Sequence, residues 1–219
     1  MKKNVKHSPT QERLLIQQLI EGEAKAFDYV VSEYHGLMLT IARAIVGEAF
    51  ADEIVQDAWL SAIKALPNFE ARSSLKTWLL QITSNAAKTR FKREQRQVSL
   101  DEGWESVPRD KFDQRGHRLD DVLPWEQETP DALLENEQLK ELIETSFRQL
   151  PANQRALLTM YDMEGLSMSE ICNILDISSS NARVLLHRAR TTIHHKIEEY
   201  RGRYQMIHEF ILIFNNRQV

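Results

Sequence analysis

Residues 165–193 read GLSMSEICNILDISSSNARVLLHRARTTI, and they carry two helices separated by a tight turn. Ser167 and Glu170 have the spacing of a capping box, in which a hydroxyl accepts from the N–H three residues on and the carboxylate reaches back. That predicts a short helix over 168–175, a turn at Asp176-Ile177-Ser178, and a long helix from Ser179. On the long helix Ala182, Leu185, Leu186, Ala189 and Ile193 recur at threes and fours and predict its buried side. Ser180, Val184, His187 and Thr191 are expected to face out, flanked by Arg183, Arg188 and Arg190. Short helix, turn, longer helix is the layout whose second helix lies in the major groove of DNA. Arg and Ser near such a helix N-terminus can contact phosphates or guanine edges, and an exposed Val184 can meet a thymine methyl. A basic, solvated helix is the plainer alternative. His194 and His195 are adjacent, point in different directions and have no cysteine partner nearby, so they read as surface residues and not as metal ligands.

Working outward, a helix over 132–150 should stop at Pro151, which can itself start the next helix, through about residue 163. These helices and the helix-turn-helix make a second module, residues 132–203. The tail, 204–219, ends in MIHEFILIFNNRQV, whose apolar side is expected to pack on that module, with docking to a partner as the other reading. Before the module, residues 97–131 hold no sustained helical period and collect Gly103, Pro108, Gly116, Pro124 and Pro130, which predicts a linker. Trp104 and Trp125 leave open whether the linker docks or only tethers.

Residues 8–96 form a first helical module. Ser8-Pro9-Thr10-Gln11 reads as a helix start, and the helix should stop near Gly22. A second helix runs from about Glu23 to Gly47; Gly36 inside it hints at close helix packing. A third, about 49–66, carries an apolar stripe of Ile54, Val55, Ala58, Trp59, Ala62 and Ile63. Asp52, Glu53, Gln56 and Asp57 fall on the other side, either as solvated surface or as a protein-docking patch. Last comes 69–93, FEARSSLKTWLLQITSNAAKTRFKR, an aromatic-flanked loop running into a helix. Leu75, Trp78, Leu79, Ile82 and Ala86 share one side, and Thr77, Gln81, Ser84, Lys88 and Lys92 the other. Lys88, Arg90, Lys92, Arg93 and Arg96 crowd the last turns, with Phe69, Trp78 and Phe91 close by. Cations that neutralise phosphates beside aromatics that stack on bases suit single-stranded nucleic acid.

Composition bounds these readings. A chain of 219 residues with 42% hydrophobic content and few Gly and Pro (7 and 6) fits an all-α protein of two small domains. The net charge of −4 argues against nucleic-acid binding until it is divided along the chain. Residues 1–100 carry about +3, 101–150 about −8 and 151–219 about +1. The acid is confined to the middle, so each module can present a positive face. A lone cysteine, Cys172, excludes an internal disulfide framework and reads as a core residue in a reducing compartment. The first residues lack the apolar core of a signal peptide, and the apolar run near the other end is too short to span a bilayer, so a cytoplasmic protein without membrane insertion is expected. No nucleophile elbow, P-loop or HExxH motif is present, no metal or cofactor is called for, and an enzyme is not expected.

Together AFDYVVSEYHGLMLTIA, ADEIVQDAWLSAIKALPNF, the 69–93 stretch and LPANQRALLTMYDMEGLSMSEICNILDISSSNARVLLHRAR resemble, in order and spacing, bacterial RNA polymerase sigma factors of the extracytoplasmic-function group. The likeness covers nearly all of residues 12–200. It implies sigma region 2 at 8–96 and sigma region 4 at 132–203, joined by a flexible acidic linker whose charge mimics nucleic acid. It assigns core-polymerase binding to Asp52, Glu53, Gln56 and Asp57. It assigns the melted minus-ten element to Asn68, Phe69, Arg72, Lys76, Trp78, Gln81, Ser84, Asn85, Lys88 and Lys92. The minus-thirty-five duplex falls to Ser179, Ser180, Asn181, Arg183, Val184, His187, Arg188 and Arg190. Core RNA polymerase, promoter DNA and an anti-sigma factor are the implied partners. Two departures touch promoter sequence: Asn181-Ala182 stands where Thr-Val is usual, and Glu70-Ala71-Arg72 where Arg-Gly-Asp is frequent. The rival readings are a helix-turn-helix regulator that binds operators alone and a decoy that binds polymerase without initiating.

Overall fold

The computed structural model describes residues 9–97 and 137–215. The expected N-cap at Ser8 and the linker tryptophans lie outside the described residues. Every element within them is helical.

In the first module, α1 (Pro9–Ile20) starts at the proline and buries Ile16 and Leu19. Gly22, at φ +80, turns the chain as the spacing predicts. Helix α2 (Ala24–Val46) is the spine: Val30, Tyr34, Met38, Ile41 and Ile45 recur at threes and fours and are all buried. Gly36 is exposed and has nothing near its Cβ direction, so the close packing expected there is absent. Gly47, at φ +83, ends α2 by donating its N–H to the Arg43 carbonyl and leads directly into α3 (Glu48–Ala65). Ala51, Ile54, Val55, Ala58 and Ala62 bury one side of α3. Ile63 does not belong to that stripe; it is 49% exposed. A short 3-10 turn, Leu66–Asn68, follows, then the loop and α4 (Leu75–Gln97). The start of α4 is capped twice: Ser74 Oγ accepts from Thr77 N–H at 3.1 Å, and Glu12 of α1 accepts from Leu75 N–H at 2.6 Å. Both acceptors satisfy N–H groups that a first turn leaves open, and the carboxylate also suits the positive end of the helix.

In the second module, α5 (Glu137–Gln149) leads through Leu150 and Pro151 to α6 (Ala152–Leu158). Pro151 caps α6 from outside and is not its first residue. A π turn at Thr159–Met163 and Gly165, at φ +65, redirect the chain. The capping box forms as read: Glu170 N–H donates to Ser167 Oγ at 3.3 Å, and Ser167 N–H to Glu170 Oε2 at 2.9 Å. Helix α7 (Met168–Leu175) ends at Asp176, whose φ of 52 makes the tight turn. Helix α8 (Ser179–Asn215) buries Ala182, Leu185, Leu186 and Ala189 and half-buries Ile193. It continues without a break through most of the expected tail, so 204–215 extends the helix, and the expected packing of the tail's side chains lies outside the described residues.

The modules do not hang apart. Helix α4 packs on α7, and α2 packs on α6 and the π turn. One core cluster runs from Met38, Ile41 and Leu80 to Leu157, Met160 and Ile174.

Candidate nucleic-acid interface

The basic face of α4 is where sequence and geometry diverge most. Asn85 and Lys92 are exposed, as are Asn68 and Arg72 in the preceding turn and loop. Phe69 and Trp78 form a tilted aromatic pair with centroids 4.6 Å apart, both half-buried. Gln81 is half-buried. Ser84 is not on the open face: it is fully buried, with no hydrogen-bond partner for its hydroxyl, and Thr77 is buried too. Helix α4 is packed against α2, α3 and α7, so little of its surface is left open. A single-helix reading cannot foresee that.

Two of the predicted lysines reach α7. Lys88 Nζ donates to the Leu175 carbonyl, at the C-terminal end of α7. Burial pushes the Lys88 ammonium below the ordinary lysine range, and the Asp176 charge opposes that shift. At the other end of α7, Lys76 Nζ lies 4.0 Å from Glu170 Oε1, the oxygen that the capping box leaves over. In the loop, Arg72 pairs with Glu70 across Ala71, which sits at φ +53. A side chain there strains the left-handed backbone, at the position where the family resemblance leads one to expect glycine.

On α3, Asp52, Glu53, Gln56 and Asp57 are all exposed. Glu53 lies 3.5 Å from Arg90, which also pairs with Glu94 at 3.0 Å and lies over the Phe50 ring. Arg90 therefore holds α4 to α3 and is no free phosphate contact.

On α8, Ser179, Ser180 and Arg183 are exposed at the N-terminus, as the reading frame predicts. Asn181, His187 and Arg188 are half-buried, and Asn181 Oδ1 and His187 Nε2 are shielded without a partner. Val184 contradicts its expected exposure: only 9% of its surface is accessible. Arg190 is exposed but held: its Nε and Nη2 donate to Asp162 at 3.0 and 2.5 Å, a fork that raises its pKa. Cys172 is half-buried, and burial raises its thiol pKa against the opposing Arg183 charge. No group of three His, Cys, Asp or Glu able to hold a metal occurs among the described residues. No described helix is long and apolar enough to cross a membrane.

Sequence reasoning missed Arg155. Its guanidinium donates to Ala44 O (2.6 Å) and Ile45 O (3.4 Å) at the end of α2, and to Arg148 O (2.9 Å) and Leu150 O (3.3 Å) at the end of α5. One side chain thus serves the open carbonyls of two helix C-termini, one in each module. The only signal was an arginine directly before the apolar run Ala156-Leu157-Leu158.

Comparison with known proteins agrees with this geometry. The sigma-70 region 2 family matches residues 30–97, and the sigma-70 region 4 family matches residues 140–193. The RNA polymerase sigma-H factor of Pseudomonas aeruginosa is 29% identical over 84% of this chain and 92% of its own. The ECF RNA polymerase sigma-E factor of Escherichia coli K12 is 26% identical over 85% and 94%. Among solved structures, CnrH in complex with the cytosolic domain of CnrY superposes with a TM-score of 0.55 at 19% identity, over 86% of this chain and 97% of that one. The sigma factor RpoE in complex with the anti-sigma factor NepR from Bartonella quintana gives 0.55 at 18%, over 80% and 98%. The paired region 2 and region 4 matches, in the order that the two helical modules follow, make this chain a member of the sigma-70 family, an extracytoplasmic-function sigma factor that directs transcription initiation.

Proposed function

We propose that the chain binds core RNA polymerase through Asp52, Glu53, Gln56 and Asp57 on α3. It then reads two promoter elements in two physical states. Region 2, residues 8–96, captures the unpaired minus-ten strand with Phe69 and Trp78 as stacking partners and Lys76, Lys88 and Lys92 on phosphates. Asn68, Arg72, Gln81 and Asn85 border the same track. Region 4, residues 132–203, sets the N-terminal turn of α8 against the minus-thirty-five duplex, with Ser179, Ser180, Asn181, Arg183, His187 and Arg188 nearest the DNA. Arg190 contributes by fixing α8 to the π turn through Asp162. The protein works where the polymerase works, in the cytoplasm. An anti-sigma factor is a fitting regulator, since the superposed sigma factor RpoE of Bartonella quintana was solved with the anti-sigma factor NepR bound.

The observation that carries this reading is the pairing, in one chain, of an exposed acidic helix side with an aromatic and lysine face on the next helix and a capped helix-turn-helix behind it. Unpairing a few base pairs costs several kcal/mol, and stacking worth about 1–3 kcal/mol per captured base offsets much of that. Run-off transcription with purified core polymerase on a randomised promoter library tests it. Selected templates should share two elements at a fixed spacing. Core binding without any transcript would favour a decoy, and operator binding without polymerase would favour a stand-alone regulator.

A further inference from the structure

Resting on the reading of residues 68–78 as the start of the minus-ten track, we propose that α1 is the clamp that sets the shape of this segment, and that Glu12 is the positioning residue through which it acts. Helix α1 lies outside the region 2 family match, which begins at residue 30, and carries none of the residues assigned to DNA or polymerase. It nevertheless meets both ends of the loop at 69–74. At the near end α1 packs on the 3-10 turn Leu66–Asn68, and its Leu19 shares a small apolar cavity with Leu66, Leu75 and Trp78. At the far end Glu12, half-buried, accepts from the Leu75 N–H at 2.6 Å, 63 residues further along the chain.

The loop has little bracing of its own. Arg72 pairs with Glu70, and Ser73 Oγ donates to the Ser74 carbonyl at 3.4 Å, so both contacts stay inside the loop. Ala71 holds a φ of +53, which a side chain keeps only where the surroundings impose it. The Phe69–Trp78 pair, at 4.6 Å, joins the residue that opens the loop to the first turn of α4, and so depends on where that turn stands. Ser74 Oγ caps Thr77 N–H from within the same segment. Glu12 does more, since it ties the first N–H of α4 to another helix, with a charged acceptor at the positive end of the helix.

Without that tie the first turn of α4 is free to fray. One unwound turn converts about 5 Å of helix into up to about 13 Å of chain, whereas a binding constellation tolerates about 0.5 Å. Asn68, Phe69 and Arg72 then lose their register with Lys76 and Trp78. Leu79 and Leu80, beyond that turn, are fully buried and keep the rest of α4 in place. The defect is therefore one of reading the strand and not of folding the module.

The test uses the full chain with purified core polymerase, on a template that the wild-type chain selects from the randomised library and on a copy with its minus-ten element scrambled. The ratio of open-complex yields on the two templates measures minus-ten reading, and a loss of folded or core-bound protein lowers both yields alike and cancels. Glu12→Ala should lower this ratio about tenfold while leaving core affinity and the minus-thirty-five preference unchanged. Glu12→Gln, which keeps an acceptor at the same reach, should hold it within about threefold of wild type. In the free chain, hydrogen exchange of the first-turn amides of α4 should quicken about tenfold in Glu12→Ala. A ratio that Glu12→Ala leaves intact, or that Glu12→Gln fails to restore, overturns the clamp and leaves strand capture standing. Selected templates that share no minus-ten element sink the strand-capture reading, and the clamp goes with it.

Discussion

Arg155→Ala should uncouple the modules. Its guanidinium meets four carbonyls, but two of the contacts, at 3.3 and 3.4 Å, are long, so the two at 2.6 and 2.9 Å carry most of the effect. A hydrogen bond to a charged group contributes about 1.5–3 kcal/mol, which puts the pair at about 3–6 kcal/mol before the side chain's own burial is set against it. That burial is real: it lowers the Arg155 pKa. A groove of about 570 Å³ beside it, lined by Thr40, Phe147 and Met163 among others, lets water reach the freed carbonyls. The lower end, about 3 kcal/mol, is therefore expected, or about 6–12 °C in melting temperature for a chain of this size. Arg155→Lys keeps the charge but loses the fork, and should recover less than half. Circular dichroism at 222 nm, followed through heating, measures both. Wild type should melt in one transition, and Arg155→Ala should melt lower, with the two modules separating into two steps. A variant that melts as one transition within about 1 °C of wild type would refute the assignment of Arg155 as the bridge.

Four further outcomes follow from the same contacts. Ala71→Gly should raise the melting temperature by about 2–4 °C, because it relieves a left-handed backbone that costs about 1 kcal/mol or more with a side chain; a lower value would mean that the loop is not strained. Burial pushes the Tyr34 hydroxyl up to about 12, so the folded state holds that proton more tightly than the unfolded state. The stability tied to it is complete below about pH 10 and is lost as pH rises toward 12, by about 2–3 kcal/mol. Denaturant titrations at pH 9 and 11 should show Tyr34→Phe losing less stability over that interval than wild type. Ser167→Ala removes the capping box and should cost about 1 kcal/mol, read as faster amide exchange in α7. Lys92→Ala should weaken open-complex formation and reduce its salt slope by about one phosphate's worth; unchanged slopes would remove Lys92 from the track.

The helices were legible because each carries its own boundary signals. The capping box at Ser167 and Glu170, the glycines at 22 and 47 and the proline at 151 mark ends within a residue or two. The buried sides of α2 and α8 were legible because local period decides which side is apolar. What failed, failed for one reason. Ser84 and Thr77 have polar side chains and are buried on a helix that α2, α3 and α7 all pack against, while Ile63 is apolar and remains open. Val184, expected at the surface, is buried as well. A period of 3.6 reports the first layer of packing; which second element settles on the polar side is a long-range fact. Arg155 is the sharpest case, since its partners are backbone carbonyls of Ala44 and Ile45, groups that every sequence possesses and none advertises.

The interface between the modules combines two kinds of contact with different consequences. Arg155 and the shared apolar cluster bind backbone and side chains that DNA has no way to imitate. Lys76 and Lys88 bind acceptors that a phosphate imitates well. Nucleic acid can therefore compete with only part of the interface, and a ligand shifts a two-state equilibrium by no more than its differential affinity for the two states.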